Sequence, residues 1–409
     1  MTIQYLRKPT AIRERCDRIF QLGCENKLNY FEIDLTKLDN CADYTIQVIR
    51  DDYPNLEIPF HSRWRHFEVG NISRIAELEA KLADFSPLEK AKIKFDLAIV
   101  SVLLDAGAGS AWKYYETETQ QIFHRSEGLA VASFRMFGAG AFSSNPSLPW
   151  QADAEGLQAL TEDKLKLGFQ VSAENPLLGV EGRVKLLQKL GKAISENPII
   201  FGSDNPRPGN MVDYLLRDGI NPELRTSISA REVLTAVLEG LGEIWPGRLA
   251  IAGVNLGDVW IHPGLTGDRE SDKFVPFHKL SQWLTYSLLE PLQELGLEIT
   301  GLDELTGLAE YRNGGLCLDI GLLRVKDAAI LARPHLPGSE IIVEWRALTV
   351  SLLDRIAAAI RQKLHLSPAE LPLVKVLQGG TWSAGRKIAS KLRKGAIPPI
   401  QIESDGTVF

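Results

Sequence analysis

Residues 274–295 read FVPFHKLSQWLTYSLLEPLQEL, and this stretch decides the fold class. Phe277, Leu280, Trp283, Leu284, Ser287 and Leu288 recur at three- and four-residue steps, the spacing that lines up one face of a helix. Pro276 suits a first helical turn, where its missing N–H leaves no gap in the ladder. Lys279 and Gln282 lie beside the apolar stripe. Helical patterns extend outward from here, over residues 10–30, 72–96, much of 151–265, and the later part of SEIIVEWRALTVSLLDRIAAAI (339–360). Strand-like alternation is confined to short pieces such as LGDVWIHPG (256–264), where Asp258, Trp260 and His262 alternate. The expectation is a mainly α-helical fold with a few short strands.

Next in the chain comes DELTGLAEYRNGGLCLD (303–319). It opens like a helix, with Asp303 and Thr306 as candidate N-caps. Glu310, Tyr311, Arg312 and Asn313 then stand side by side before Gly314-Gly315, and a glycine pair reads as a helix end that admits a ligand close to the backbone. A carboxylate, a phenol, a guanidinium and an amide so placed suit a small polar molecule. A helix end with an Arg-Glu surface pair accounts for them equally well.

Upstream, KFDLAIVSVLLDAGAGSAWKYYE (94–116) predicts a buried helix that carries Asp105 into a glycine-rich turn, with Trp112 beyond. A carboxylate after so apolar a run needs a partner, either a ligand or the cap of a following helix. The AGAGS glycines lack the lysine and spacing of a phosphate loop. Ser126 and Glu127 head the apolar segment LAVASFRMF. In FHSRWRHFEVGN (60–71), His61 and His66 are five apart, a poor spacing for metal ligands on one helix face. No serine-triad, metal or dinucleotide signature stands out. The four-part division expected is 1–95, 96–150, 151–265 and 266–409.

Composition narrows the function classes. The 409 residues carry a net charge of −6, which argues against a nucleic-acid binder relying on general basicity. Apolar and charged contents of 44% and 24% are those of an ordinary globular protein. No apolar run reaches the roughly 18 residues needed to span a bilayer. The N-terminal residues have no apolar core before a small-residue cleavage site, so no signal peptide is expected, and four cysteines without redox or metal spacing suit reduced thiols in the cytoplasm.

VLLDAGAGSAW, RSEGLAVASF, NPLLGVEGR, FHKLSQWLTYSLLEPL, LTGLAEYRNGGL and the terminal SDGTVF resemble the family of the fourth uracil catabolism protein over essentially the whole chain. That resemblance implies work on a ring-opened uracil product of the ribosyl-urea type. Shorter patches resemble the queuosine-nucleotide N-glycosylases of queuine salvage, which are helical and DNA-glycosylase-like. Phe277, Lys279 and Gln282 match their Phe-Tyr-Lys-Arg-Ala-Gln; Ala309-Glu310-Tyr311-Arg312 matches their Ala-Asp-Tyr-Arg; Asp105 and Trp112 keep the Asp-to-Trp spacing. A fourth patch, their Ser-Gly-Tyr-Trp, falls at Ser126-Glu127-Gly128-Leu129.

The second resemblance implies an N-ribosyl hydrolase that releases urea. Glu310 would stabilise an oxocarbenium-like sugar, and Asp105 would bind the leaving group or act as acid. Lys279 would hold a 5′-phosphate, while Tyr311, Arg312, Asn313, Trp112, Ser126, Glu127 and His278 would line the site. No cofactor, metal, nucleic-acid or membrane partner is expected, and oligomeric state is left open. Glu310 stands where the glycosylases have Asp, and AGAGSA replaces their aromatic stacking residues, a change that suits a small leaving group such as urea. Two other accounts remain at this point: hydrolysis of the urea amide bond, or a non-catalytic protein that channels the same intermediate.

Overall fold

A computed structural model describes residues 2–109, 111–217, 225–246 and 248–403. The terminal SDGTVF therefore lies outside the described residues. Helices dominate, and among the described residues every sheet is a two-stranded pairing. No described helix is long and apolar enough to cross a membrane. The backbone divides into two compact units, one of Met1–His61, Gly247–Gln282 and Gly301–Ser404, the other of Ser62–Pro246 and Trp283–Thr300.

In the first unit the helix Pro9–Cys24 starts with proline at its first position and buries Ile12, Ile19 and Phe20. It packs along Glu340–Leu364, whose buried Ile342, Leu348, Leu352 and Ile356 recur at helical spacing. Phe31–Ile33 pairs antiparallel with Leu323–Val325, and Val259–Ile261 with Phe274–Pro276. The second pairing corrects the sequence reading. Residues 274–276 form a strand, and the helix begins only at Lys279. His278 makes the turn between them in the left-handed region, at φ +46°.

The glycine pair also behaves differently from expectation. Leu302–Glu304 is a single 3-10 turn, and Asp303 caps no long helix; its Oδ1 accepts from Arg361 Nη2 at 3.2 Å. The helix runs Tyr311–Asp319, straight through Gly314 and Gly315, and its cap is Glu310. Close packing explains the glycines. A Cβ on Gly314 would lie 2.7 Å from Trp345 Nε1 and 2.8 Å from Thr349 Oγ1, while one on Gly315 would meet Pro399 Cδ at 3.2 Å. Trp345 Nε1 donates to the Gly314 carbonyl across this contact at 3.1 Å.

The second unit is built on Pro87–Leu103, buried almost throughout from Ala91 onward and capped by Ser86, whose Oγ accepts the Glu89 N–H. Arg125–Gly138, Val180–Glu196 and Ala230–Leu241 are its other long helices. Ser229 and Glu232 form a reciprocal capping box on the last. The hairpin Lys113–Glu116 with Gln121–His124 delivers Glu116 to a buried ion network with Arg74 and Arg135.

Candidate active site

The residues singled out from sequence fall into two groups, one in each unit. In the first unit Glu310 caps the Tyr311–Asp319 helix from an extended backbone, at φ −120° and ψ 165°. Its Oε2 accepts the Arg312 N–H at 2.7 Å and its Oε1 the Asn313 N–H at 2.6 Å. Each carboxylate oxygen carries two acceptor sites, so one remains on each. Glu310 is buried, at 8% exposure. Burial pushes its carboxyl above the ordinary value, against the Arg312 N–H, the nearby Lys279 charge, the Asn313 N–H and the Arg312 charge.

Asn313 is fully buried beside it. Its Nδ2 donates to the Leu308 carbonyl at 3.1 Å, while its Oδ1 has no hydrogen-bond partner among the described residues. Arg312 does not form the surface pair with Glu310. It is buried, donates from Nη1 to the Ala396 carbonyl at 2.7 Å, and lies over the Tyr311 ring at 5.0 Å.

Lys279 opens its helix half-buried, and its N–H is taken by Asp258 Oδ2 at 3.0 Å. Gln282, one turn on, clasps Thr306: Gln282 Oε1 accepts the Thr306 N–H at 2.8 Å, and Gln282 Nε2 donates to Thr306 Oγ1 at 2.8 Å. This clasp ties the Lys279 turn to the loop that leads into Glu310. His278 is buried, and its Nε2–H donates to the Leu6 carbonyl at 3.0 Å. Burial lowers its basicity, so the neutral ring is favoured.

Asp258 and Arg346 form a further ion pair that no sequence motif joins. Arg346 Nη1 and Nη2 donate to Asp258 Oδ1 and Oδ2, both at 2.8 Å. Burial works to raise the Asp258 carboxyl, but the Arg346 charge and hydrogen bonds outweigh it and hold it well below the usual range. The two residues are 88 apart in sequence, so no local pattern links them. The one available signal was Asp258 at the edge of the alternating 256–264 piece.

In the second unit Asp105 follows the end of the Pro87–Leu103 helix. Its Oδ2 accepts from Arg63 Nη1 at 2.7 Å and from Ser126 Oγ. Arg63 is wholly buried, donates from Nε to Ser101 Oγ at 2.7 Å, and lies under the Phe67 and Trp283 rings. Burial lowers its basicity, against the charges of Asp105 and Glu127. Ser126 and Glu127 stand in the first turn of Arg125–Gly138. Trp112 is buried in packing: its ring stacks on Phe169 at 5.9 Å and its Nε1 donates to the Phe169 carbonyl at 2.9 Å.

His262, Glu340 and Glu344 form a set with ligand atoms within 4.8 Å of one another. Their hydrogen bonds have another explanation. Glu344 accepts the Asn29 and Tyr30 N–H groups at 3.1 and 3.2 Å, and Glu340 accepts from Asn29 Nδ2 at 2.6 Å. His262 Nδ1 accepts the Gly264 N–H at 3.1 Å, which leaves the proton on Nε2, 3.5 Å from Glu344. A ring in that tautomer has no lone pair for an ion at Nε2.

The family model described as protein of unknown function (DUF1688) matches residues 5–409. Protein urg3 of Schizosaccharomyces pombe is 42% identical over 416 aligned positions, covering 100% of this chain and 99% of that protein. Uracil catabolism protein 4 of Lachancea kluyveri is 40% identical over 439 positions, covering 100% and 99%. With the match running through both units, the chain belongs to the DUF1688 family.

Proposed function

We propose that this chain acts in uracil catabolism as an N-ribosyl hydrolase that cleaves a ribosyl-urea type nucleoside or nucleotide. The place in the pathway rests on the two relatives, one of them named for uracil catabolism, that match it end to end. The reaction rests on one observation: Glu310 and Asn313 present adjacent buried acceptors, with the Lys279 charge acting on the carboxylate.

In the reaction the C1′–N bond breaks, its electron pair leaves with the urea nitrogen, and positive charge develops on the sugar. Ionised Glu310 stabilises that charge. Its two backbone hydrogen bonds hold the carboxylate in place before the reaction, so little reorganisation is needed. Such electrostatic help is worth about 3–4 kcal/mol, or 10²–10³ in rate. Water adds to C1′ and its proton ends on the leaving nitrogen, giving ribose or its phosphate and intact urea. Asn313 Oδ1 is the natural acceptor for a sugar hydroxyl, and Lys279 a point charge for a 5′-phosphate.

Product analysis tests the reaction. Incubation with N-ribosylurea and its 5′-phosphate is expected to yield sugar and urea in equal amounts. Ammonia without urea would instead assign the amide bond as the one cleaved.

A further inference from the structure

We infer that Asp258 and Arg346 are positioning residues that hold Lys279 at a set place relative to Glu310. The inference rests on the reading of Glu310 above and extends it to residues that touch no reacting atom.

Asp258 is saturated. Oδ1 accepts from Arg346 Nη1 at 2.8 Å and Trp260 Nε1 at 2.6 Å; Oδ2 accepts from Arg346 Nη2 at 2.8 Å and the Lys279 N–H at 3.0 Å. Its main-chain carbonyl accepts the N–H of Phe277 at 2.9 Å and of His278 at 3.4 Å. One residue thus fixes three successive backbone groups, including the left-handed His278. A non-glycine residue in that region is strained and persists only where its surroundings enforce it.

Arg346 carries the hold to the other side. Its Nε points to the Ala309 carbonyl at 3.4 Å, one residue before Glu310, and its guanidinium lies 4.0 Å from the centre of the Phe277 ring. The bidentate pair therefore joins the turn that presents Lys279 to the turn that presents Glu310.

The test uses sign. The charged groups acting on Glu310 are Lys279 and, on its own helix, Arg312, with Asp258 and Arg346 behind them. Removing the Asp258 charge acts directly to lower the Glu310 pKa. Freeing Lys279 to move away acts to raise it. The full-length protein, labelled with ¹³C at glutamate carboxyls, would be titrated by NMR, with the Glu310 signal identified by its loss in Glu310→Gln. Asp258→Asn is expected to raise the Glu310 pKa, and Arg346→Lys, which keeps the charge but loses the bidentate fork, to raise it too. Both variants are expected to lower kcat/KM for sugar release by about 10²-fold, the usual cost of a misplaced group.

A lowered or unchanged Glu310 pKa in Asp258→Asn, or no change in Arg346→Lys, overturns the inference. Should Asp258→Asn not fold, the charge-preserving variant decides alone. The two claims separate cleanly: absence of sugar release by folded wild type disposes of the proposed reaction, while the titration still reads the coupling of Asp258 to Glu310.

Discussion

Glu310 is a cap and a candidate catalyst at once, and its chemistry follows from that double duty. The two backbone N–H groups favour its ionised form, and burial disfavours it more strongly. If the ionised form is the active one, kcat/KM falls as pH drops through a value above the ordinary 4.5 of a glutamate. Lys279→Met removes a charge that opposes the effect of burial, so the acid limb of the pH–rate profile is expected to move to higher pH. A limb that stayed in place would take Lys279 out of the electrostatics of Glu310. At Asn313 the expected effect is on binding: Asn313→Leu should raise KM about 10-fold or more by removing an acceptor for a substrate hydroxyl. Residue type and motif spacing single out Glu310, Asn313 and Lys279 in the chain, and the fold places all three in one unit. What surrounds them is not legible there, since Asp258 lies 21 residues from Lys279 and 88 from its own partner Arg346.

At the level of elements, the helical patterns over 10–30 and the later part of 339–360 fall on the Pro9–Cys24 and Glu340–Leu364 helices, while the single helix Pro87–Leu103 is divided between the patterns at 72–96 and 94–116. The same reasoning failed where tertiary contacts overrule local pattern. Residues 274–276 pair as a strand with 259–261, and the Asp258 carboxylate, not Pro276, sets where the next helix begins. Gly314 and Gly315 read as a break, although their missing side chains let the Tyr311–Asp319 helix approach Trp345 and Pro399. Because its neighbours are a ring nitrogen at 2.7 Å and a hydroxyl at 2.8 Å, Gly314→Ala should destabilise by about 1–3 kcal/mol in chemical denaturation. Gly315→Ala, facing Pro399 at 3.2 Å, should cost less. Equal stability of both variants and wild type would contradict this account of the glycine pair.

Over the whole molecule, the helical class was legible from periodicity, but the ion networks were not, because their members lie far apart in sequence. Arg74 and Glu116, 42 residues apart and fully buried, share two hydrogen bonds, with Arg135 adding a third to the carboxylate. Burial alone would raise the Glu116 carboxyl, yet hydrogen bonds from Arg74, Thr119 and Arg135 bring it down to about 2. A depressed carboxylate gives stability that is present above its ordinary value of 4.5 and lost as pH falls toward 2. Glu116→Gln should therefore cost about 3–5 kcal/mol at neutral pH, with the gap from wild type narrowing below pH 4.5. A gap independent of pH would mean packing, not charge, is what the substitution removes.

The central claim is tested most directly by the rate of sugar release from N-ribosylurea and its 5′-phosphate, wild type against Glu310→Gln at equal folded concentration. The account predicts release by wild type and a fall of at least about 10²-fold in the variant. No release by folded wild type, or equal release by the two proteins, would contradict it.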